Sequence, residues 1–469
     1  MMSDLEFLFH PKSIAIVGTP RDPKDTAGGA GFLNALITFG YKGDIYPVNP
    51  KAREIMGLKC YSDLASLPRT PDYVISCIPA SLTPQLVRDC IAKGVKAISM
   101  YTAGFSEAGD EGAKLEQELV GLAREGGVRL VGPNCMGIYC PSTGLSYQSG
   151  QSKEAGCVGF VCQSGGNSNL VALMGLDRGI RFSKIISYGN AADLNEADFL
   201  EYLTQDVETR VIAVYIEGPK DGPRFFRALA TAASTKPVIA LKGGRTKAGT
   251  RAAGSHTGSL ATAEERWDAL CQQAGAVQVY SLEEMLDLIE TALYMKPPQG
   301  RRVGIIGWGG GASVTSTDAC ESAGLSVPTF SSELRQELAR FAFGPGSSVS
   351  NPVDSAVVTN PSLFSKAMRI MASSNEVDLL LVHLPLDISH IVGDSDIWKV
   401  AGETVLETSQ SLDIPMVVVQ PHTAHPGNSA GFYALQQRCV ETSLPLYSSA
   451  GQAACAISRY IQYHLWRSR

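Results

Sequence analysis

The chain alternates short apolar runs with longer stretches of helical spacing, almost from end to end. Ser13-Ile14-Ala15-Ile16-Val17 is one such run, and Gly18 follows at once. A continuous apolar run of strand length is the pattern of a strand buried on both faces of a parallel sheet. The pattern recurs at 44–48, 73–78, 97–100 and 129–132. Between these runs, 84–93 and 111–125 space their apolar residues three and four apart, which predicts amphipathic helices. Residues 1–143 therefore read as a βαβ series around one parallel sheet.

Residues 141–152 are rich in Ser, Gly and Gln and read as a linker. A second series, over 150–296, has predicted strands at 158–162, 184–187, 211–216 and 237–241 and a closing helix over 282–295. Lys296-Pro297-Pro298-Gln299-Gly300 reads as a second linker. A third series, over 300–469, has predicted strands at 302–306, 379–382 and 416–419 and a helix from 451 to about 466. The second and third series open alike, with a strand, a glycine-containing turn and a helix. The expectation is an α/β chain of three doubly wound domains.

Length agrees, since 469 residues are too many for one core. Lys and Arg number 40 against 46 Asp and Glu, a net charge of −6, which makes no electrostatic case for nucleic acid or an anionic membrane. No apolar run is long enough to span a bilayer, and the first ten residues carry acids without a basic region, so neither a membrane span nor a signal peptide is expected. The eleven cysteines form no CxxC pair, which points to a reducing cytoplasm without a disulfide framework or structural zinc.

Candidate chemistry starts at Gly254-Ser255-His256-Thr257-Gly258-Ser259-Leu260-Ala261-Thr262. His256 is one of seven histidines and stands among glycines and hydroxyls, which leave an imidazole open and can hold an anion beside it. That suits a nucleophile that accepts a phosphoryl group; the bland alternative is a turn histidine. Glu217 ends the strand 211–216, where a carboxylate could orient the ring of His256; the alternative is a solvated loop acid. Two turns lead from a strand into a predicted helix, Gln163 to Ser168 and Gly307 to Ser313. The free amides of a helix start make an anion site, here at Ser164, Gly165 and Gly166 and at Gly310, Gly311 and Ala312.

In the first series Gly18-Thr19-Pro20-Arg21 follows the first strand without a clean GxGxxG. Lys51 stands after the second strand where an acid would receive the ribose of NAD, and favours a phosphorylated ribose, as in coenzyme A or NADP. Pro79 and Tyr101-Thr102-Ala103 lie at further strand ends, where open α/β sheets bind ligands. Asp193 and Asp198 read as helix-capping acids. His422 and His425 read as a surface loop, and no metal site is expected.

These residues carry a resemblance. Residues 9–18, 45–51, 132–137 and 159–165 resemble the alpha subunits of the NDP-forming acyl-CoA synthetases, also called acid–CoA ligases, relatives of succinyl-CoA synthetase. So do Glu217-Gly218, Leu241 to Gly244, Ser255 to Gly258, Gly309 to Gly311 and Asn351 to Asp354. The resemblance implies a Rossmann-like CoA-binding domain followed by two flavodoxin-like domains. It implies a route of three transfers through an acyl phosphate, CoA and a phosphorylated His256 that exchanges its phosphoryl group with ADP; run toward synthesis, the route makes acyl-CoA from ATP. Glu217 would orient His256, the turns 163–166 and 309–313 would hold the phosphate, and Gly18, Thr19, Pro20, Arg21, Lys51, Pro79, Tyr101, Thr102 and Ala103 would contact CoA.

The family's ATP-grasp domain is missing from the chain, as is GxxxxGK(S/T). A separate ATP-grasp beta subunit is therefore implied, binding ATP or ADP with Mg in a hetero-oligomer. Gly166-Asn167-Ser168-Asn169 departs from the small apolar residues usual in the family. Asn167 and Asn169 are therefore the candidate substrate residues, for a small carboxylic acid with a second polar group, and Trp308 could shape the same pocket. Two rival readings stand beside the ligase. A non-catalytic CoA-binding or regulatory protein would bind CoA without phosphorylating His256. A nicotinamide-dependent dehydrogenase is disfavoured by the missing acid after the second strand.

Overall fold

The computed structural model describes residues 5–20, 28–257, 264–341, 346–385 and 396–468. The chain forms two compact units, one of 1–176 with 180–282, the other of 177–179 with 283–469. Among the described residues no helix is long and apolar enough to cross a membrane.

The described residues of the first unit hold two large sheets and a two-stranded ribbon of Glu54–Ile55 and Leu58–Lys59. In the first sheet five parallel strands stand in the order Asp44–Val48, Ser13–Val17, Tyr73–Ser76, Ala97–Met100 and Arg129–Val131. Each lies where an apolar run predicts it. Ala15, Val74 and Ile98 pack in one core with Leu86 and Leu119 from the amphipathic helices Thr83–Lys93 and Asp110–Gly126. The strand order reverses beside Ser13–Val17, so the loops after it and after Tyr73–Ser76 leave a crevice at their carboxyl ends.

The second sheet runs Val277–Val279, Val238–Lys242, Val211–Ile216, Val158–Cys162, Phe182–Ser187 and Gly137–Tyr139. Its last strand is antiparallel and was not legible in the sequence, because three residues show no period. Here the order reverses between Val158–Cys162 and Val211–Ile216. Residues 141–152 are packed rather than a solvated linker. Leu145, Ser146, Tyr147 and Gln151 are buried, and the Ser146 and Tyr147 hydroxyls and the Gln151 side-chain oxygen find partners. Ser146 donates to Gln151 Oε1 at 3.0 Å and Tyr147 to Ser168 Oγ at 3.2 Å.

Lys184, in the strand Phe182–Ser187, is fully buried and pairs with Asp206 at 2.9 Å and Glu208 at 2.5 Å. Burial pushes the Asp206 carboxyl up, but hydrogen bonds from Thr209 and Lys184 outweigh it and hold the group below its usual range. A depressed carboxyl stabilises the fold above its unfolded pKa and loses that contribution as pH falls through the folded value. Lys184→Ala should lower unfolding stability by roughly 3 kcal/mol at pH 7, because it strands the Asp206 carboxylate, whose side chain is 7% exposed. The deficit should shrink in acid below pH ~4. Urea unfolding of both proteins at pH 7 and pH 3 checks this, and an equal deficit at both would refute it.

The sheet of the second unit runs Ser348–Val349, Val353–Asp354, Val303–Gly307, Leu379–His383, Met416–Val419 and Leu446–Tyr447, antiparallel only at its first pair. Ile306, Val382 and Val418 share a core with Phe364, Met368 and Leu406. The helix Leu282–Tyr294, expected to close the second series, belongs from Glu283 onward to this unit. Its buried acids explain the attachment. Asp287 pairs with Arg178 at 2.5 Å, and Glu290 accepts the Leu446 amide at 2.8 Å.

Candidate active site

The turn after Val158–Cys162 leads into the helix Gly165–Asp177. Ser164 caps it, its Oγ accepting the Asn167 amide at 3.3 Å and its carbonyl the Ser168 amide at 3.0 Å. A side chain at Gly165 would start 2.9 Å from Met136 Cγ, so a larger residue would have to push Met136 aside. Gly166 is exposed. The first-turn amides of a helix lack intrahelical acceptors, and the absence of side chains here leaves them approachable.

Glu217 sits one residue beyond Val211–Ile216, across the crevice from this turn. It is 3% exposed, which overturns the solvated-acid reading. Its amide donates to Gln163 Oε1 at 2.7 Å, so the two strand ends are tied together. Its Oε1 accepts the Tyr215 hydroxyl at 3.3 Å, and Asn167 also hydrogen-bonds Tyr215. The structure thus joins Glu217, the 163–166 turn and Asn167 in one cluster. Asn169 Oδ1 is buried without a hydrogen-bond partner.

Sequence reasoning missed Tyr215 and Gly243 as members of this cluster. A Cβ at Gly243 would stand 2.6 Å from the Tyr215 hydroxyl and 3.1 Å from Glu217 Cγ. The glycine pair 243–244 after Val238–Lys242 was the available signal. Just beyond it starts the helix Lys247–Thr257, whose last turn holds the backbone of His256. The His256 side chain lies outside the described residues.

In the second unit the helix Gly310–Ser322 starts after Gly309, whose φ is +120°. The Gly309 amide donates to Asp354 Oδ1 at 2.9 Å. Gly310 and Gly311 are exposed and Ala312 is partly so. Trp308 meets Trp398 at a tilt of 36°, with ring centroids 5.7 Å apart.

At the crevice of the first sheet a cleft of about 480 Å³ is lined by Gly18, Thr19, Pro20 and Lys51 among others. Gly18 has φ +94°, and a Cβ there would lie 2.8 Å from the Cys77 carbonyl oxygen. The buried Thr19 hydroxyl donates to the Ile16 carbonyl at 3.0 Å, so the cleft sees its backbone. Asn49, not singled out from the sequence, braces the wall by donating to the Thr19 carbonyl at 2.7 Å and accepting the Lys51 amide at 2.8 Å. Arg21 lies outside the described residues. Pro79, Thr102 and Ala103 do not line this cleft; the Thr102 hydroxyl is spent on the Ile78 carbonyl at 2.6 Å. Tyr101 lines a separate pocket of about 330 Å³.

The loop after Ala97–Met100 is clamped to the second sheet by Asn190, which is wholly buried. Its Nδ2 donates to Glu107 Oε2 at 2.5 Å and Glu116 Oε2 at 2.9 Å, while Glu107 Oε1 accepts the Gly104 and Phe105 amides. Asp198 completes a capping box with Asn195, as a capping acid should. Asp193 is not a cap: it pairs with Arg129 and accepts the Leu130 amide, both at 2.9 Å. His422 is exposed and its ring stacks on Phe432 at 4.1 Å, and His425 is exposed in the same loop. Among the described residues no three His, Cys, Asp or Glu side chains are grouped to hold a metal ion.

Comparison with known proteins shows the family. A CoA binding domain model matches residues 12–141, and a succinyl-CoA ligase like flavodoxin domain model matches 155–292. The acetate–CoA ligase (ADP-forming) I of Archaeoglobus fulgidus is 38% identical over 381 residues, covering 81% of this chain and 55% of that one. The chain thus spans little more than half of that relative. The acetate–CoA ligase (ADP-forming) II alpha subunit of Pyrococcus furiosus is 36% identical, covering 80% of this chain and 81% of the subunit. The structure of acetyl-coenzyme A synthetase 1 from Candidatus Korarchaeum cryptofilum, in complex with phosphate and ADP, is similar over 100% of this chain and 98% of that one. Its TM-score is 0.85 at 31% identity. Identity at this level over most of a subunit's length, with a shared fold, shows that the chain belongs to the ADP-forming acid–CoA ligase family, as an alpha-type chain.

Proposed function

We propose that this chain is the alpha subunit of an NDP-forming acid–CoA ligase that works through a phosphohistidine at His256. The observation that carries the reading is the buried Glu217, tied through Gln163 to a helix start with open amides. The helix bearing His256 starts just past Gly243, which packs against Glu217. In synthesis, ATP gives its terminal phosphoryl group to a ring nitrogen of His256. A carboxylate oxygen of the acid takes the group to form an acyl phosphate, and the CoA thiolate attacks the acyl carbon and releases phosphate. Glu217 accepts the other ring N–H and fixes the tautomer. Amides at Gly165 and Gly166 receive the phosphoryl oxygens, with Ser164 closing the cap. Gly310, Gly311 and Ala312 offer a second helix start of this kind.

Coenzyme A occupies the cleft beside Gly18, Thr19, Pro20 and Lys51, with its slender arm passing Tyr101. The modules are 1–143 for CoA, 150–296 for the histidine and 300–469 for the second helix start. ATP or ADP with Mg is held by a separate ATP-grasp beta subunit. Asn167 and Asn169 favour an acid with a second polar group. Labelled ATP, supplied with the ATP-grasp partner, should leave acid-labile label on this chain that CoA and acid together discharge. Absence of label beside an active partner refutes the reading.

Lys51 is exposed at the rim of the cleft. Lys51→Glu replaces attraction to a phosphate by repulsion and should raise KM for CoA about tenfold, near 1.4 kcal/mol, with kcat at saturating CoA little changed. Equal KM values in steady-state kinetics would remove Lys51 from the CoA site.

A further inference from the structure

The pocket of about 330 Å³ is not needed to hold the nucleotide end of CoA, and its walls have a chemistry of their own. Phe32, on the helix Gly28–Phe39, is 3% exposed and meets Tyr101 edge to face, with ring centroids 5.5 Å apart. Tyr101 is 37% exposed, so an aromatic ring is presented rather than packed away. Met136 and Tyr147 also line it, Asn34, Gly28 and Gly31 come from the same helix as Phe32, and Gln148 and Ser149 stand at the rim.

The pocket abuts the proposed reaction centre. Met136 lies against Gly165, the first residue of the anion-accepting helix. Tyr147 donates to Ser168 in that helix's first turn. A ligand in this pocket would therefore lie next to the phosphoryl group.

We propose that this pocket receives the acyl end of the substrate and selects an aromatic carboxylic acid over acetate. The inference rests on the ligase reading. A two-carbon acyl group leaves most of 330 Å³ empty, whereas pockets of roughly 300 Å³ and above suit larger organic ligands. The Phe32–Tyr101 pair and the Met136 thioether favour a ring over an alkyl chain, because edge-to-face and sulfur–ring contacts add to burial. Gln148 and Ser149 offer hydrogen bonds to a ring substituent, in keeping with the polar acid inferred from Asn167 and Asn169.

The test uses the chain with its ATP-grasp partner and compares kcat/KM for benzoate, 4-hydroxybenzoate, hexanoate and acetate. The expected result is a preference of about thirtyfold or more for the aromatic acids over acetate, near 2 kcal/mol, and a smaller one over hexanoate. Ser149→Trp should lower the aromatic-to-acetate ratio at least tenfold by filling the pocket from its rim. A wild-type preference for acetate or hexanoate, or an unchanged ratio in Ser149→Trp, overturns the proposal. Labelling of the wild type by ATP separates the two readings: label with an acetate preference sinks only the pocket, and no label sinks the ligase.

Discussion

His256→Ala should lower acyl-CoA formation by at least about 10⁴-fold and abolish labelling by ATP. Removing a covalent nucleophile eliminates the route itself, and losses of this order are seen when a member of a nucleophilic apparatus is deleted. CoA binding should survive, because every residue that lines the cleft beside Gly18 and Lys51 falls within 17–89, far from His256 in the chain. The two readouts, turnover with the partner and CoA affinity by calorimetry, separate the ligase from a CoA-binding protein. A variant that keeps more than a hundredth of wild-type turnover would exclude His256 as the phosphoryl carrier.

Glu217→Gln should reduce turnover by about 10²–10⁴-fold with little change in fold. Swapping an orienting carboxylate for its amide preserves shape while allowing the wrong ring tautomer. Glutamine still fits against Gly243 and keeps the backbone bond to Gln163. The loss should fall on the rate of His256 phosphorylation rather than on KM for CoA, a split that damaged packing would not produce. Rapid-quench labelling measures it; a rate within threefold of wild type would leave Glu217 a structural acid. Tyr215→Phe removes one hydrogen bond to the carboxylate, and its effect should be far smaller.

Much of this site was legible because it lies at the ends of buried parallel strands. Glu217 and the 163–166 turn announce themselves by following apolar runs, and strand order then places such ends side by side. Lys51 was visible as a cation where a dinucleotide site places an acid. Tyr215 was not legible, since inside an apolar strand it reads as one more core aromatic. Asn190 was hidden for a different reason: its partners Glu107 and Glu116 lie more than 70 residues away in the chain.

By itself the sequence determined the α/β class, the central strands of the three large sheets and the main amphipathic helices. A strand covered on both faces must be apolar throughout, and a half-buried helix must repeat near every 3.6 residues. Only the tertiary structure decided the rest. Gly137–Tyr139 is a strand because the edge of Phe182–Ser187 supplies its partner. Residues 141–152 are packed because Ser146 finds Gln151 and Tyr147 finds Ser168 in the neighbouring helix, which composition cannot reveal. Asp193 forms an ion pair instead of a cap because Arg129 comes to it from another sheet. The helix Leu282–Tyr294 joins the second unit because Arg178 and the Leu446 amide meet its buried acids. Local pattern is written into each segment by what it must bury, while the choice of partner is made only when distant segments meet.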